Sequence, residues 1–169
     1  MDVRYINPFM ESVTHLLRTM LHTELTLSKP KLSTDDVHAD ASAVIGFSGD
    51  ATGCVVLCFP MHTAVKAASI FAGIEMTKDH EDFGDALGEL ANIVAGQAKA
   101  KLAGLNIFIS LPNVIIGKEH AVLQSRNRPR LAIPCDSAFG RFTVEVAMVV
   151  VKKQEARVPQ PATAGASVG

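Results

Sequence analysis

The chain has 169 residues, 48% of them apolar, and sets 16 basic against 17 acidic side chains for a net charge of −1. That length fits one domain, and a chain of about 150 residues buries roughly 70% of its extended surface, enough for a self-sufficient core. The charge balance argues against a phosphate-tracking nucleic-acid binder, which needs a basic excess. The absence of Trp and the single Tyr5 argue against base-stacking platforms and carbohydrate clefts.

No purely apolar run, residues 147–151 among them, approaches the ~18 residues a membrane span needs. The N-terminus carries no secretory signal pattern, so the expected location is the cytoplasm. Cys54 and Cys58 would lie roughly 13 Å apart on one strand, too far to bridge. They read, with Cys135, as small buried hydrophobes in a reducing compartment. No Cys/His cluster has zinc spacing, and the six His are scattered with none three or four residues apart, so no metal site is expected.

In chain order, residues 8–25 read as an amphipathic helix. Asn7 stands as its N-cap, Pro8 at the first helical position, and Phe9, Val13, Leu16, Leu17, Met20 and Leu21 follow the helical period. Residues 43–47 and 53–59 read as the two strands of a hairpin around the turn signal 48–52, and Pro60 closes the second. A short Ala-rich helix over 63–73 ends at Gly73. A long helix is predicted from about 79 to 102, with acidic residues leading it and Gly104 stopping it. Residues 112–117 suggest a strand or edge. Residues 130–135 and 141–148 read as two more strands joined by the turn 137–140. After Lys153 the chain is rich in Pro, Gly, Ala, Ser and Thr and cannot repay its ordering entropy. One domain over 1–152 is therefore expected, with a disordered tail over 153–169. The order of elements is that of an α+β fold with a mainly antiparallel sheet and two long helices packed on one face.

The functional signal lies on the long helix. With about 100° per residue, Leu87, Leu90, Ala91, Val94, Ala98 and Leu105 cluster as a core face. Asp85, Glu89, Asn92, Gly96 and Lys99 fall on the other side, within about 80° of arc. Glu89 and Asn92, three residues apart, are neighbours. The surroundings are bare: Gly84, Gly88, Ala95, Gly96, Ala100 and Ala103. Glycine inside a helix costs roughly 1 kcal/mol against Ala, so something needs that smallness. Close approach of another protein's surface is one answer; packing against a second helix of the same domain is the other. A Glu-x-x-Asn pair alone is also common on solvated faces, and Asp85 and Lys99 read equally well as ordinary surface charges.

The run from Asp85 to Gly96, with Asp85, Glu89, Asn92 and a later Pro112, resembles the signature helix of the CheC/CheX/FliY family of chemotaxis phosphatases. The opening Met1-Asp2-Val3-Arg4 with Asn7, the Val44-Ile45-Gly46 before the hairpin turn and the Gly53-Cys54-Val55-Val56 after it resemble the CheX branch, over roughly residues 1–150. Pro112 follows Asn92 by 20 residues, slightly fewer than the family pattern. CheC-like relatives carry a second Glu-x-x-Asn on the first helix. The equivalent here is Glu11-Ser12-Val13-Thr14, so one site per chain is expected.

The resemblance implies a substrate: a CheY-like receiver domain carrying an acyl phosphate on its aspartate. It also implies roles. An acyl phosphate has a good leaving group and a loose transition state, so an amide without a useful pKa suffices. Asn92 would place the attacking water in line. Glu89 would pair with a lysine of the receiver, which would supply the Mg²⁺. This chain would need no cofactor of its own. Asp85, Gly88, Gly96 and Lys99 are assigned to partner contact. Two other readings share the helix, a receiver-binding module without turnover and a dimerisation scaffold; the intact Glu89/Asn92 pair favours the phosphatase. A homodimer is expected: the CheX branch, which the chain resembles, associates through its sheet, and residues 144–151 are too apolar for a freely exposed edge; an internal strand covered within one chain explains them nearly as well.

Overall fold

The computed structural model describes residues 3–33, 36–122 and 130–151. A 3-10 turn, Val3–Tyr5, leads into α1 (Asn7–Met20); β1 (Leu25–Leu27), β2 (Lys31–Leu32), β3 (His38–Gly49) and β4 (Ala51–Phe59) follow. Then come α2 (Met61–Ala72), α3 (Phe83–Lys101), β5 (Ile107–Ile109), β6 (Asn113–Ala121), β7 (Arg130–Ser137) and β8 (Gly140–Val150). The strands form one antiparallel sheet in the order β1-β7-β8-β4-β3-β5, with β2 also on β7 and β6 also on β3. The tail expected over 153–169 lies outside the described residues.

The period-2 alternation of the central strands sends Ala43 and Ile45 of β3, Val55 and Leu57 of β4, and Val144 and Val146 of β8 to one face. All three helices cover that face in a single core. Phe9 of α1 meets Phe47 of β3 with ring centroids 5.6 Å apart, which ties the first helix to the centre of the sheet. Ala91, Ala95 and Ala98 of α3 are fully buried, as close packing of α3 against α1 and the sheet demands. The α+β reading with an antiparallel sheet and helices on one face therefore holds, with α2 as a third helix in the layer.

Several boundaries differ from the sequence reading. Asn7 is not the cap of α1: Ile6 is, and its carbonyl accepts from Phe9 and Met10. The helix stops at Met20 rather than near 25, because His22 takes φ +48° and turns the chain, freeing Leu25–Leu27 to pair with β7. The acids at 79–82 precede α3 rather than opening it. Stacked turns, His80 N–H to Thr77 O and Phe83 N–H to His80 O, delay the helix to Phe83. The hairpin turn is tighter than predicted. Gly49 at φ +100° lies so close to the Asn106 carbonyl that no Cβ fits, and Asp50 exchanges two hydrogen bonds with Asn106, one backbone and one through its carboxylate. The Ala-rich helix starts at Met61, two residues before the expected 63, and is closed as expected by Gly73 in the left-handed conformation at φ +70°.

The strand that motivated the dimer is not an edge. β8 lies between β7 and β4 and is paired on both sides, so its apolar run is covered within the chain. The outer strand on the α3 side is β6, which is paired only with β3 among the described residues and exposes Ile115 and Ile116. Its path bends at a bulge opposite Asp40. There the Asp40 carboxylate accepts from the N–H of Met61, at the start of α2, and of Glu119, at φ +48°. These two backbone donors hold its pKa below the usual carboxylate value.

Candidate functional site

α3 presents its polar stripe outward, as the helical period dictates. Glu89 is exposed and Asn92 half-buried, and the Asn92 amide nitrogen donates to Glu89 Oε2 at 3.3 Å. That contact leaves the Asn92 carbonyl oxygen as an acceptor for a water. Asp85 lies one turn earlier in the first turn of the helix, where a carboxylate suits the dipole, and Lys99 lies in the last turn, where a cation does. Both are exposed. A Cβ built on Gly96 would meet nothing within 4 Å, so its bareness serves no contact within the described chain.

Gly88 differs from the expectation. It is buried, and a Cβ there would lie 3.3 Å from both Cβ and Cγ of Pro112 and 3.5 Å from Val114 Cγ2. The missing side chain makes room for Pro112 of the same chain before any partner arrives. The shortened spacing to Pro112 therefore does not prevent it from reaching the helix. The proline is fixed from the other side as well. Ser110 N–H donates to Gly46 O at 3.0 Å, Gly46 N–H donates to Ser110 Oγ at 2.9 Å, and that hydroxyl donates to Leu111 O at 2.8 Å.

Two shallow grooves of about 390 Å³ each flank the stripe. One is lined by Gly84, Asp85, Gly88, Glu89, Pro112 and Val114, the other by Phe71, Ile74, Met76 and Asp82 among others, and Asp85 belongs to both. A larger cavity of about 500 Å³ opens between the end of α1, α2 and the β7–β8 turn, among Leu21, Lys66, Glu75 and Phe139. It contains none of the predicted site residues, and a polar pair on an exposed helix does not need a deep cavity when its substrate is a protein surface. Sequence reasoning missed Val114, Phe71 and Ile74 as walls of the site. Their only local signal was apolar character next to turn residues.

No group of three or more His, Cys, Asp or Glu among the described residues could hold a metal ion. Among them, too, no helix is long and apolar enough to cross a membrane. None of the three cysteines is in a disulfide, and burial pushes the Cys58 and Cys135 thiols up to about 12, which makes those two inert.

An antiparallel sheet, helices on one face and an outward Glu-x-x-Asn on the helix braced by a distant proline define a CheC-like protein. A CheC-like protein from Shewanella sp. PV-4 superposes with a TM-score of 0.81 at 29% identity, over 88% of this chain and 99% of that one. The chain belongs to the CheX family: the model of the chemotaxis phosphatase CheX matches residues 41–136. The CheY-P phosphatase CheX of Thermotoga maritima is 32% identical over 123 residues, 70% of this chain and 79% of that protein. The CheX of the CheX–CheY–BeF₃–Mg²⁺ complex from Borrelia burgdorferi superposes with a TM-score of 0.73 at 25% identity, covering 85% of this chain and 97% of that one.

Proposed function

We propose that this protein is a phosphatase for the aspartyl phosphate of a CheY-like receiver domain and terminates a chemotaxis or related two-component signal. The observation that carries the reading is the Glu89–Asn92 pair, in mutual contact on the outward face of α3. The names of the Thermotoga relative and of the Borrelia complex support the same activity and the same kind of partner.

In this reading Glu89 forms a charge-assisted pair with a receiver lysine and sets the angle at which α3 meets the phosphorylation site. Asn92, held by Glu89 through its amide nitrogen, accepts a hydrogen bond from a water through its carbonyl oxygen and places it in line with phosphorus. This is a positional contribution to a reaction whose leaving group is already good. Asp85 and Lys99 meet the rim of the partner, and Gly96 allows it to approach the helix backbone. Gly88 acts through Pro112, which shapes the groove wall.

Mg²⁺ belongs with the receiver, where it neutralises phosphoryl charge when bound. Asp85 and Glu89 on one helix face fall short of the six oxygens that ion takes. The protein works in the cytoplasm, where the receiver is. It is a homodimer formed through the outer edge of β6, whose exposed Ile115 and Ile116 favour strand-to-strand association; a monomeric mass in light scattering at micromolar concentration would reject that.

The deciding experiment follows the decay of a CheY receiver loaded with acetyl phosphate, with and without catalytic amounts of this protein. Accelerated decay that chelation of Mg²⁺ stops is the expected result. Binding to the receiver without accelerated decay would reduce the protein to a receiver-binding module.

A further inference from the structure

We propose that Leu111 is an apolar anchor that grips the receiver beside the Glu89–Asn92 pair and sets affinity for the phosphorylated partner without taking part in the chemistry. This rests on the phosphatase reading above.

Leu111 is 88% exposed, the most exposed of the large apolar side chains among the described residues. A single exposed leucine is ordinary on a protein surface and by itself marks nothing. This one is held on both sides: Ser110 is hydrogen-bonded to Gly46 through backbone and hydroxyl, the same hydroxyl takes the Leu111 carbonyl, and Pro112 is wedged on Gly88. A side chain whose backbone is fixed loses less freedom on docking, which is what an interface anchor needs. Pro112, its neighbour, lines the same groove as Glu89. Val114, which lines that groove too, extends its apolar wall. On the far side of the stripe, Ile74 and Phe71 line the second groove together with Asp85.

The acidic and amide groups of α3 thus run between two apolar banks. A partner that fits presents a cation and a phosphoryl group with apolar side chains on either side, at one continuous surface. On the reading above, a receiver supplies the phosphoryl group and the lysine cation, and the apolar banks are what its surface would have to meet. The most energetic contacts of an interface are well-packed anchors near its centre, surrounded by others that exclude water.

The test compares Leu111→Asp and Leu111→Ser with the wild type, and uses Leu32→Asp as a control. Leu32 is 63% exposed but lies on β2, at the opposite edge of the sheet. Both steady-state turnover of an acetyl-phosphate-loaded CheY receiver and binding to the same receiver loaded with beryllofluoride are measured. The expected result is a KM and a Kd raised about tenfold or more in both Leu111 variants, the scale of losing one anchor, with kcat within about twofold and the melting temperature unchanged. Leu32→Asp should change nothing. Unaltered KM and Kd in the Leu111 variants, in a wild type that does turn over, would sink the anchor and leave the phosphatase reading standing. Leu111-dependent binding with no turnover would do the reverse. A change in oligomeric mass on Leu111→Asp, with KM unaffected, would assign the side chain to contact between copies of this chain and overturn the proposal.

Discussion

The two long helices carry versions of the same short pattern and use it in opposite ways. On α3, Glu89 and Asn92 face outward and touch each other, with Gly88 before them packed under Pro112. On α1, the corresponding Glu11 is drawn into a 2.7 Å ion pair with Lys101 at the end of α3, and Thr14 donates its hydroxyl to the Met10 carbonyl of its own helix. A methionine, Met10, stands where α3 has its glycine. Thus the carboxylate of α1 is engaged in holding the helix pair together, its amide is absent, and the residue before it leaves no slot for a wedge. A pattern four residues long is available to a partner only where its neighbours leave it unspent.

The largest effect that could break this comparison comes from Asn92→Ala. Turnover should fall about 100-fold or more if the amide positions the water, with the melting temperature preserved because the side chain lies outside the core. Phosphate release from a purified phosphorylated receiver measures it, and unchanged turnover would remove Asn92 from the mechanism. Next, Glu89→Lys should reverse the predicted ion pair and weaken binding to a beryllofluoride-loaded receiver about tenfold or more. Tight binding by that variant, read by calorimetry, would mean that Glu89 faces away from the partner.

Gly88→Leu sharpens the comparison from the packing side. The new side chain must displace Pro112, a small-to-large change that costs about 1–3 kcal/mol in a packed site, visible as a lower denaturation midpoint together with lost turnover. The helix on the other side should be nearly silent. Thr14→Asn should create no second active site, because Glu11 stays paired with Lys101. Glu11→Ala should cost at most about 1 kcal/mol, the usual worth of an exposed ion pair. A doubled turnover in Thr14→Asn would show that the amide alone had been missing.

The smallest effect concerns the helix-free face of the sheet. Glu145 on β8 is 1% exposed, its Oε1 accepts no hydrogen bond among the described residues, and Arg130 lies 4.0 Å away. Burial raises its carboxyl pKa; Arg130 opposes the rise and Asp36 adds to it. A raised carboxyl stabilises the fold fully below its unfolded value of about 4.3, and that contribution is lost as pH climbs through the folded value. Glu145→Gln should therefore gain stability over the wild type progressively as pH rises from about 4 towards neutrality, in thermal melts across that range. A gap that stays constant with pH would show that the carboxyl titrates normally.

Much of the site was readable from residues 85–99 alone. A helical period puts Asp85, Glu89, Asn92 and Lys99 on one face wherever the helix is placed, and that face is the outward one. The helix starts, the dimer strand and the purpose of Gly88 were not readable, for one shared reason. Local pattern cannot say whether 25–27 finds a strand to pair with, whether β8 gains neighbours on both sides, or what will lie against a glycine. The two short strands β1 and β2, three and two residues long, exist only because β7 offers them an edge.

By itself, then, the sequence determined the types of the principal elements, the central hairpin and the outward display of Glu89 and Asn92, because these follow from periods of two and 3.6 residues and from local turn chemistry. The tertiary structure alone decided that Pro112 braces Gly88, that Lys101 occupies Glu11, that β8 is interior, and that Leu111 is exposed on a fixed backbone. Each of these depends on segments far apart in the chain meeting across the sheet or the helix pair. Which of them meet is settled by burying one continuous core, not by any stretch of residues read on its own.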